Sequence, residues 1–281
     1  MNTAIQLKAL IRNLAKQKSI DAQILLRNYM LERLLERISL SEYKNNFILK
    51  GGMLVAAMVG LDARSTIDMD ATIKGRHINA EAVCKMFESI LSIELDDYVE
   101  MKIKSIEEIR DEAEYSGVRV SIETVFDKIK QILKVDVTTG EDITPREVNY
   151  SFRLMLEDRD ISIMAYNLET VLAEKLETVI TRSITNTRMR DFYDIFILSK
   201  LQKENINNEL LKDAIKATAK RRGTYELFYK ANKILEQIDK STVMKDLWKR
   251  YQAKFSYAEE IEWEEVMQSV KLKFEGFTEE I

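Results

Sequence analysis

The sequence predicts an α+β fold: a mixed sheet with N-terminal helices ahead of it and a helical C-terminal region. Three observations predict it. Residues 3–38 carry apolar side chains at helical spacing, the period falls to two between about 98 and 163, and helical spacing returns after Asn167. The expected boundary divides residues 1–165 from 166–281, and 281 residues suffice to bury a real core.

Taken in order, Leu7, Leu10, Ile11 and Leu14 mark a first helix, and Ile24, Leu25, Leu31, Leu34 and Leu35 a second, with Ser41 placed to end it. Phe47-Ile48-Leu49-Lys50 is a short apolar run leading into Gly51-Gly52, and a short helix over 53–59 stops at Gly60. Residues 65–74 read as a strand and 80–93 as an amphipathic helix. Strands follow near 98–109, 117–126 and 131–138, antiparallel because their links are short, and Phe152, Leu154, Leu156, Ile161 and Ile163 supply one or two more. Pro145 falls in the loop after the third of these, where a missing amide matters least. The C-terminal helices cover the stripe from Leu168 to Val179, the run from Phe192 to Leu198, and then roughly 207–220, 223–238, 240–254 and 259–272.

Composition excludes several classes. A net charge of −4 means that any nucleic-acid contact must come from local basic patches. The single cysteine, Cys84, excludes an internal disulfide; its setting predicts a small buried residue, and the pattern fits a reducing cytoplasm. The single histidine, His77, argues against zinc and against a serine–histidine triad. No apolar run reaches the roughly 20 residues that cross a bilayer, and the amphipathic N-terminal stretch lacks a secretory core.

The chemistry lies in Arg64-Ser65-Thr66-Ile67-Asp68-Met69-Asp70-Ala71-Thr72-Ile73. Alternation puts Thr66, Asp68 and Asp70 on one face of the expected strand and Ile67, Met69, Ala71 and Ile73 on the other. Two neighbouring carboxylates repel, and a divalent cation between them explains their retention; Mg²⁺ takes one or two carboxylates plus phosphate oxygens. The upstream glycines let a phosphate approach the backbone closely. In Lys134-Val135-Asp136-Val137-Thr138, Asp136 sits on the polar face of a later strand. If that strand neighbours the first, three carboxylates converge and can hold two Mg²⁺ ions on a nucleoside triphosphate, the one activating a hydroxyl and the other neutralising pyrophosphate. A solvated strand face is the alternative for any one of these residues.

This arrangement resembles the nucleotidyltransferase superfamily with its polymerase-beta-like core, and more narrowly the AbiEii/AbiGii toxin family, which includes the MenT toxins. The resemblance spans about 45–200 and rests on four stretches: Lys50-Gly51-Gly52 with Leu54 and the two-Asp motif; Lys134-Val135-Asp136-Val137; Thr170-Val171-Leu172-Ala173-Glu174-Lys175-Leu176; and Arg188-Met189-Arg190-Asp191-Phe192-Tyr193-Asp194-Ile195. Met53 departs from the hydroxyl residue common after the glycines, which leaves phosphate binding to the amides of Gly51 and Gly52 with Ser65 or Thr66.

Periodicity alone makes Lys175 a surface lysine paired with Glu174 or Glu177, and makes Asp191 and Asp194 first-turn acids favoured by the helix dipole. The resemblance implies other roles: Lys175 clamps the triphosphate, Asp191 orients Lys175 or the nucleotide, and Arg190 and Asp194 assist binding. Under that resemblance, the catalytic set is Asp68, Asp70, Asp136, Lys175 and Asp191. The metal ligands are Asp68, Asp70 and Asp136, holding two Mg²⁺. It further implies transfer of a nucleoside monophosphate from an NTP to an RNA, the tRNA 3′ end, blocking translation until a cognate antitoxin intervenes. A regulator that binds GTP or another NTP without transfer activity and a small-molecule nucleotidyltransferase are the rivals. Late basic residues, Lys216, Lys220, Arg221, Arg222, Lys230 and Lys233, interleave with Tyr225, Phe228 and Tyr229; they fit either an RNA backbone or a solvated face over core aromatics.

Overall fold

A computed structural model describes residues 3–75, 79–110 and 116–275; His77 lies outside them. The chain divides into two compact units, residues 1–141 with 147–166, and residues 142–146 with 167–281. Among the described residues no helix is long and apolar enough to cross a membrane.

In the first unit, α1 (Ala4–Lys18) and α2 (Ala22–Leu40) precede β1 (Phe47–Lys50), α3 (Gly51–Val59), β2 (Met69–Ile73) and α4 (Ala80–Leu91). Then come β3 (Glu100–Arg110), β4 (Ser116–Phe126), β5 (Ile129–Thr139), β6 (Val148–Arg153) and β7 (Asp160–Ala165). Among the described residues these strands form one seven-stranded sheet in the order β3-β4-β5-β2-β1-β7-β6. The β2–β5 and β1–β7 pairs are parallel and the others antiparallel, so the sheet is mixed as expected. Met69, Ala71 and Ile73 of β2, Leu133, Val135 and Val137 of β5, and Val118, Val120 and Ile122 of β4 alternate into the core. α2 packs on β5 and β7, and α3 on β1 and β2. Cys84 is half-buried rather than buried; on the rim of α4 its thiol lies 3.7 Å from the Glu88 carboxylate one turn on.

α2 buries a charged line as well. Glu32 accepts from the Met155 amide with both oxygens at 3.1 Å, and burial pushes its pKa from about 4.5 up to about 8. Because the folded-state value is the higher one, the stability it confers is complete below about pH 4.5 and is lost as pH rises through about 8. Glu32→Gln should therefore match the wild type near pH 5 and melt on the order of 5 °C higher at pH 9. Melting curves that stay parallel across that range would refute it.

The second unit holds α5 (Leu168–Arg182), α6 (Met189–Leu201), α7 (Asn208–Arg221), α8 (Ala231–Lys240), α9 (Thr242–Lys254) and α10 (Trp263–Leu272). Asn167 caps α5 by accepting from the Thr170 amide at 2.8 Å. Tyr193, Trp248, Tyr251, Tyr257 and Trp263 form an aromatic cluster where α6, α9 and α10 meet, with the Tyr193 and Tyr257 rings 4.8 Å apart.

Candidate functional site

Strand pairing assembles one row of charges across the sheet. Lys50 lies opposite Asp70, Asp70 opposite Asp136, Asp136 opposite Arg119, and Arg119 opposite Glu107. Cations therefore flank two adjacent carboxylates, on strands roughly 4.8 Å apart. Burial pushes the Asp70 pKa up, Lys50 pulls it back, Asp136 raises it, the Gly52 amide lowers it by donating a hydrogen bond, and Asp68 raises it again.

Asp68 is not on the strand. β2 begins at Met69, because residues 65–68 bond locally instead of joining the ladder. The Thr66 hydroxyl donates to the Asp68 carbonyl at 3.2 Å, and the Asn28 amide donates to the Thr66 carbonyl at 2.9 Å. Ile67 is consequently exposed, not part of the apolar face. Ser65 and Thr66 are both buried.

At the helix end, Gly51 opens α3 with φ +65°, and a Cβ there would sit 2.2 Å from Asp70 Oδ2. A Cβ on Gly52 would lie 2.9 Å from both Arg64 Nη2 and Thr66 Oγ1. The glycines thus admit protein groups against the backbone, and the Asp70 carboxylate itself meets the amide end of α3. Met53 is buried, so the side chain after the glycines belongs to the core.

Arg119 forks onto Asp136, with Nε–Oδ1 and Nη2–Oδ2 both 2.7 Å. This bond, with smaller contributions from Asp68 and Glu107, holds the guanidinium more firmly charged than usual. The sequence reading passed over Arg119. Its alternation with Val118 and Val120 marked the polar face, but not which strand would stand beside it. Lys50 ends β1 directly before the glycines. Its ammonium pairs with Glu141, whose other carboxylate oxygen accepts from the Tyr166 hydroxyl, and it lies 5.8 Å from the Tyr166 ring centre.

Among the described residues no three carboxylate, imidazole or thiolate groups are arranged ready to hold a metal. Asp136 meets Asp70 in backbone register, yet its oxygens are engaged by Arg119, so the three-carboxylate cage is not preformed. The donor chemistry still suits Mg²⁺, which needs only one or two carboxylates when phosphate completes its shell. Mutual repulsion at Asp70 also marks negative charge that a cation would offset.

The second unit carries the other residues of interest. Lys175 on α5 lies 2.7 Å from Asp194 and 3.1 Å from Asp191 on α6. Both carboxylates are buried, and Arg188 Nε lies 3.0 Å from the second oxygen of Asp191. Lys175 is thus no surface lysine paired along its own helix: Glu174 and Glu177 turn to Arg222, at 3.4 and 2.6 Å. Arg190 lies over the Phe255 ring, 5.4 Å from its centre. The late basic cluster splits, with Arg222 in that ion-pair group, Phe228 in the core, and Lys230, Lys233 and Tyr229 exposed.

A cavity of about 650 Å³ lined by residues of α1, α2 and α3 and by residues 152–158 includes Asn28, Glu32 and Met53 but no member of the charged row. Its rim charges are paired with protein groups, Lys18 with Asp62 and Glu157 with Arg33.

Comparison with solved structures shows a nucleotidyltransferase-like fold. MenT4, a nucleotidyltransferase toxin from Mycobacterium tuberculosis, aligns with TM-score 0.57 and 15% identity over 95% of this chain and 98% of its own. JHP933 from Helicobacter pylori aligns with TM-score 0.53 and 16% identity over 92% and 93%. No curated protein sequence matches the chain. The family model described as "Nucleotidyl transferase AbiEii toxin, Type IV TA system" matches residues 33–269, which take in the charged row on the sheet and the Lys175 cluster alike. With most of its length accounted for in this way, the chain belongs to the AbiEii nucleotidyltransferase toxin family.

Proposed function

We propose that the protein transfers a nucleoside monophosphate from an NTP to the 3′ end of tRNA in the cytoplasm, which blocks translation, and that a cognate antitoxin restrains it. The observation that carries the reading is the opposition of Asp70 and Asp136 in register, beside the amide end of α3. A helix N-terminus favours phosphate, and adjoining carboxylates favour a divalent cation. Mg²⁺, two ions in this reading, would supply Lewis acidity to the triphosphate and to the acceptor hydroxyl when bound. Asp68, Asp70 and Asp136 would hold the metal, and Asp136 would receive the proton of the attacking hydroxyl. The hydroxyl oxygen bonds to the α-phosphorus as the bond to pyrophosphate breaks. The amides of Gly51 and Gly52, with Ser65 and Thr66, position phosphate oxygens. Lys175, oriented by Asp191, neutralises the leaving pyrophosphate as a point charge, and Arg190 and Asp194 support the nucleotide.

The test is incubation with each labelled NTP, Mg²⁺ and total RNA. Label on the tRNA 3′ end is the expected result. Tight NTP binding without labelling would sink the transferase reading in favour of a regulator, and label on an aminoglycoside but not on RNA would replace the acceptor.

A further inference from the structure

The charged row holds a device that the transfer reaction does not require. We infer that Arg119 is a latch on Asp136: its guanidinium occupies the carboxylate while no divalent cation is bound, and must release it for the cation to load. The inference rests on Asp136 being a metal ligand.

Both Asp136 oxygens accept from the arginine at 2.7 Å, the planar fork geometry that matches a carboxylate best. The fork takes one lone pair of each oxygen and sets a guanidinium charge beside the position a cation would occupy, so guanidinium and cation compete for the carboxylate. Position explains why the arginine is there. Asp136 stands directly between Asp70 and Arg119, and without a cation the guanidinium is its neighbour of opposite charge in the row.

The latch is also built to open. The Arg119 side chain is 37% exposed and that of Asp136 22%, so the pair is not sealed in the core and water can take over its hydrogen bonds when it parts. A released guanidinium has a second acceptor beside it. Glu107 faces Arg119 from β3 on the side away from Asp136, and its field already acts on the arginine. Arg119 thus stands between two carboxylates, of which only Asp136 adjoins Asp70. The latch sets the cation concentration at which the site loads, and keeps the site unloaded when divalent cation is scarce.

The experiment titrates Mn²⁺ into the full chain without nucleotide, followed by electron paramagnetic resonance. It compares the wild type, Arg119→Gln, Asp136→Asn and the double variant, with circular dichroism confirming the fold of each. Arg119→Gln should tighten Mn²⁺ binding three- to tenfold, as expected for loss of a half-exposed bidentate competitor. In the Asp136→Asn background the same change should do nothing. Arg119→Lys, which keeps the charge but loses the fork, should fall between and serves if the glutamine variant does not fold. If Asp136→Asn weakens binding but Arg119→Gln leaves it unchanged or weaker, the latch is overturned and the metal reading survives. If Asp136→Asn has no effect, the metal reading of Asp136 falls and takes the latch with it.

Discussion

Replacing Asp70 with asparagine will lower nucleotide transfer roughly a thousandfold or more and remove growth arrest, without unfolding the protein. If Asp70 holds the cation that polarises the reacting phosphate, as proposed, its loss forfeits several kcal/mol of transition-state stabilisation, and each 1.4 kcal/mol is about a factor of ten. Asparagine keeps the shape, and hence the packing against Gly51, where a Cβ would come within 2.2 Å of the carboxylate oxygen. It removes a negative charge that burial, Asp136 and Asp68 all disfavour, so the melting temperature should hold or rise. Asp70→Ala should show the same loss. Full toxicity in a cell expressing either variant would defeat the mechanism, because no other residue of the row could take that carboxylate's place opposite Asp136.

Lys175→Met should produce the largest loss of stability. Lys175 bridges Asp191 and Asp194, and both of those carboxylates are buried. Removing one partner of a buried ion pair typically costs about 3–5 kcal/mol, or on the order of 10 °C in melting temperature for a unit of this size. Adding Asp194→Asn to Lys175→Met removes the stranded charge and should restore much of the melting temperature. Transfer activity should stay absent in that double variant if the ammonium also serves the triphosphate. Recovery of activity along with stability would reduce Lys175 to a structural residue.

The pattern of misses has a physical cause. Helices and strands were legible because burial repeats every 3.6 or 2 residues, and the stripes in α2, α5 and β5 register that repeat directly. At 65–68 the Thr66 hydroxyl donates to the Asp68 carbonyl, so alternation there does not report a strand. Cys84 failed for a related reason: its helix was right, but a position on the edge of the apolar stripe does not say which side of that edge it takes. Lys175 shows the opposite case, since its own helix offered nearer acids, yet its partners come from the next helix, 16 and 19 residues on.

Local pattern carried the α+β class, the order of the elements and the motifs that announce a nucleotidyltransferase, because each rests on residues close together in the chain. Tertiary structure alone decided that Asp136 lands opposite Asp70, that Arg119 claims it, and that Lys50 turns to Glu141. Those outcomes depend on strand order and register, which arise when segments 17 to 91 residues apart pack side by side. A charge's partner is then whatever the fold sets beside it, and local pattern carries no record of that choice.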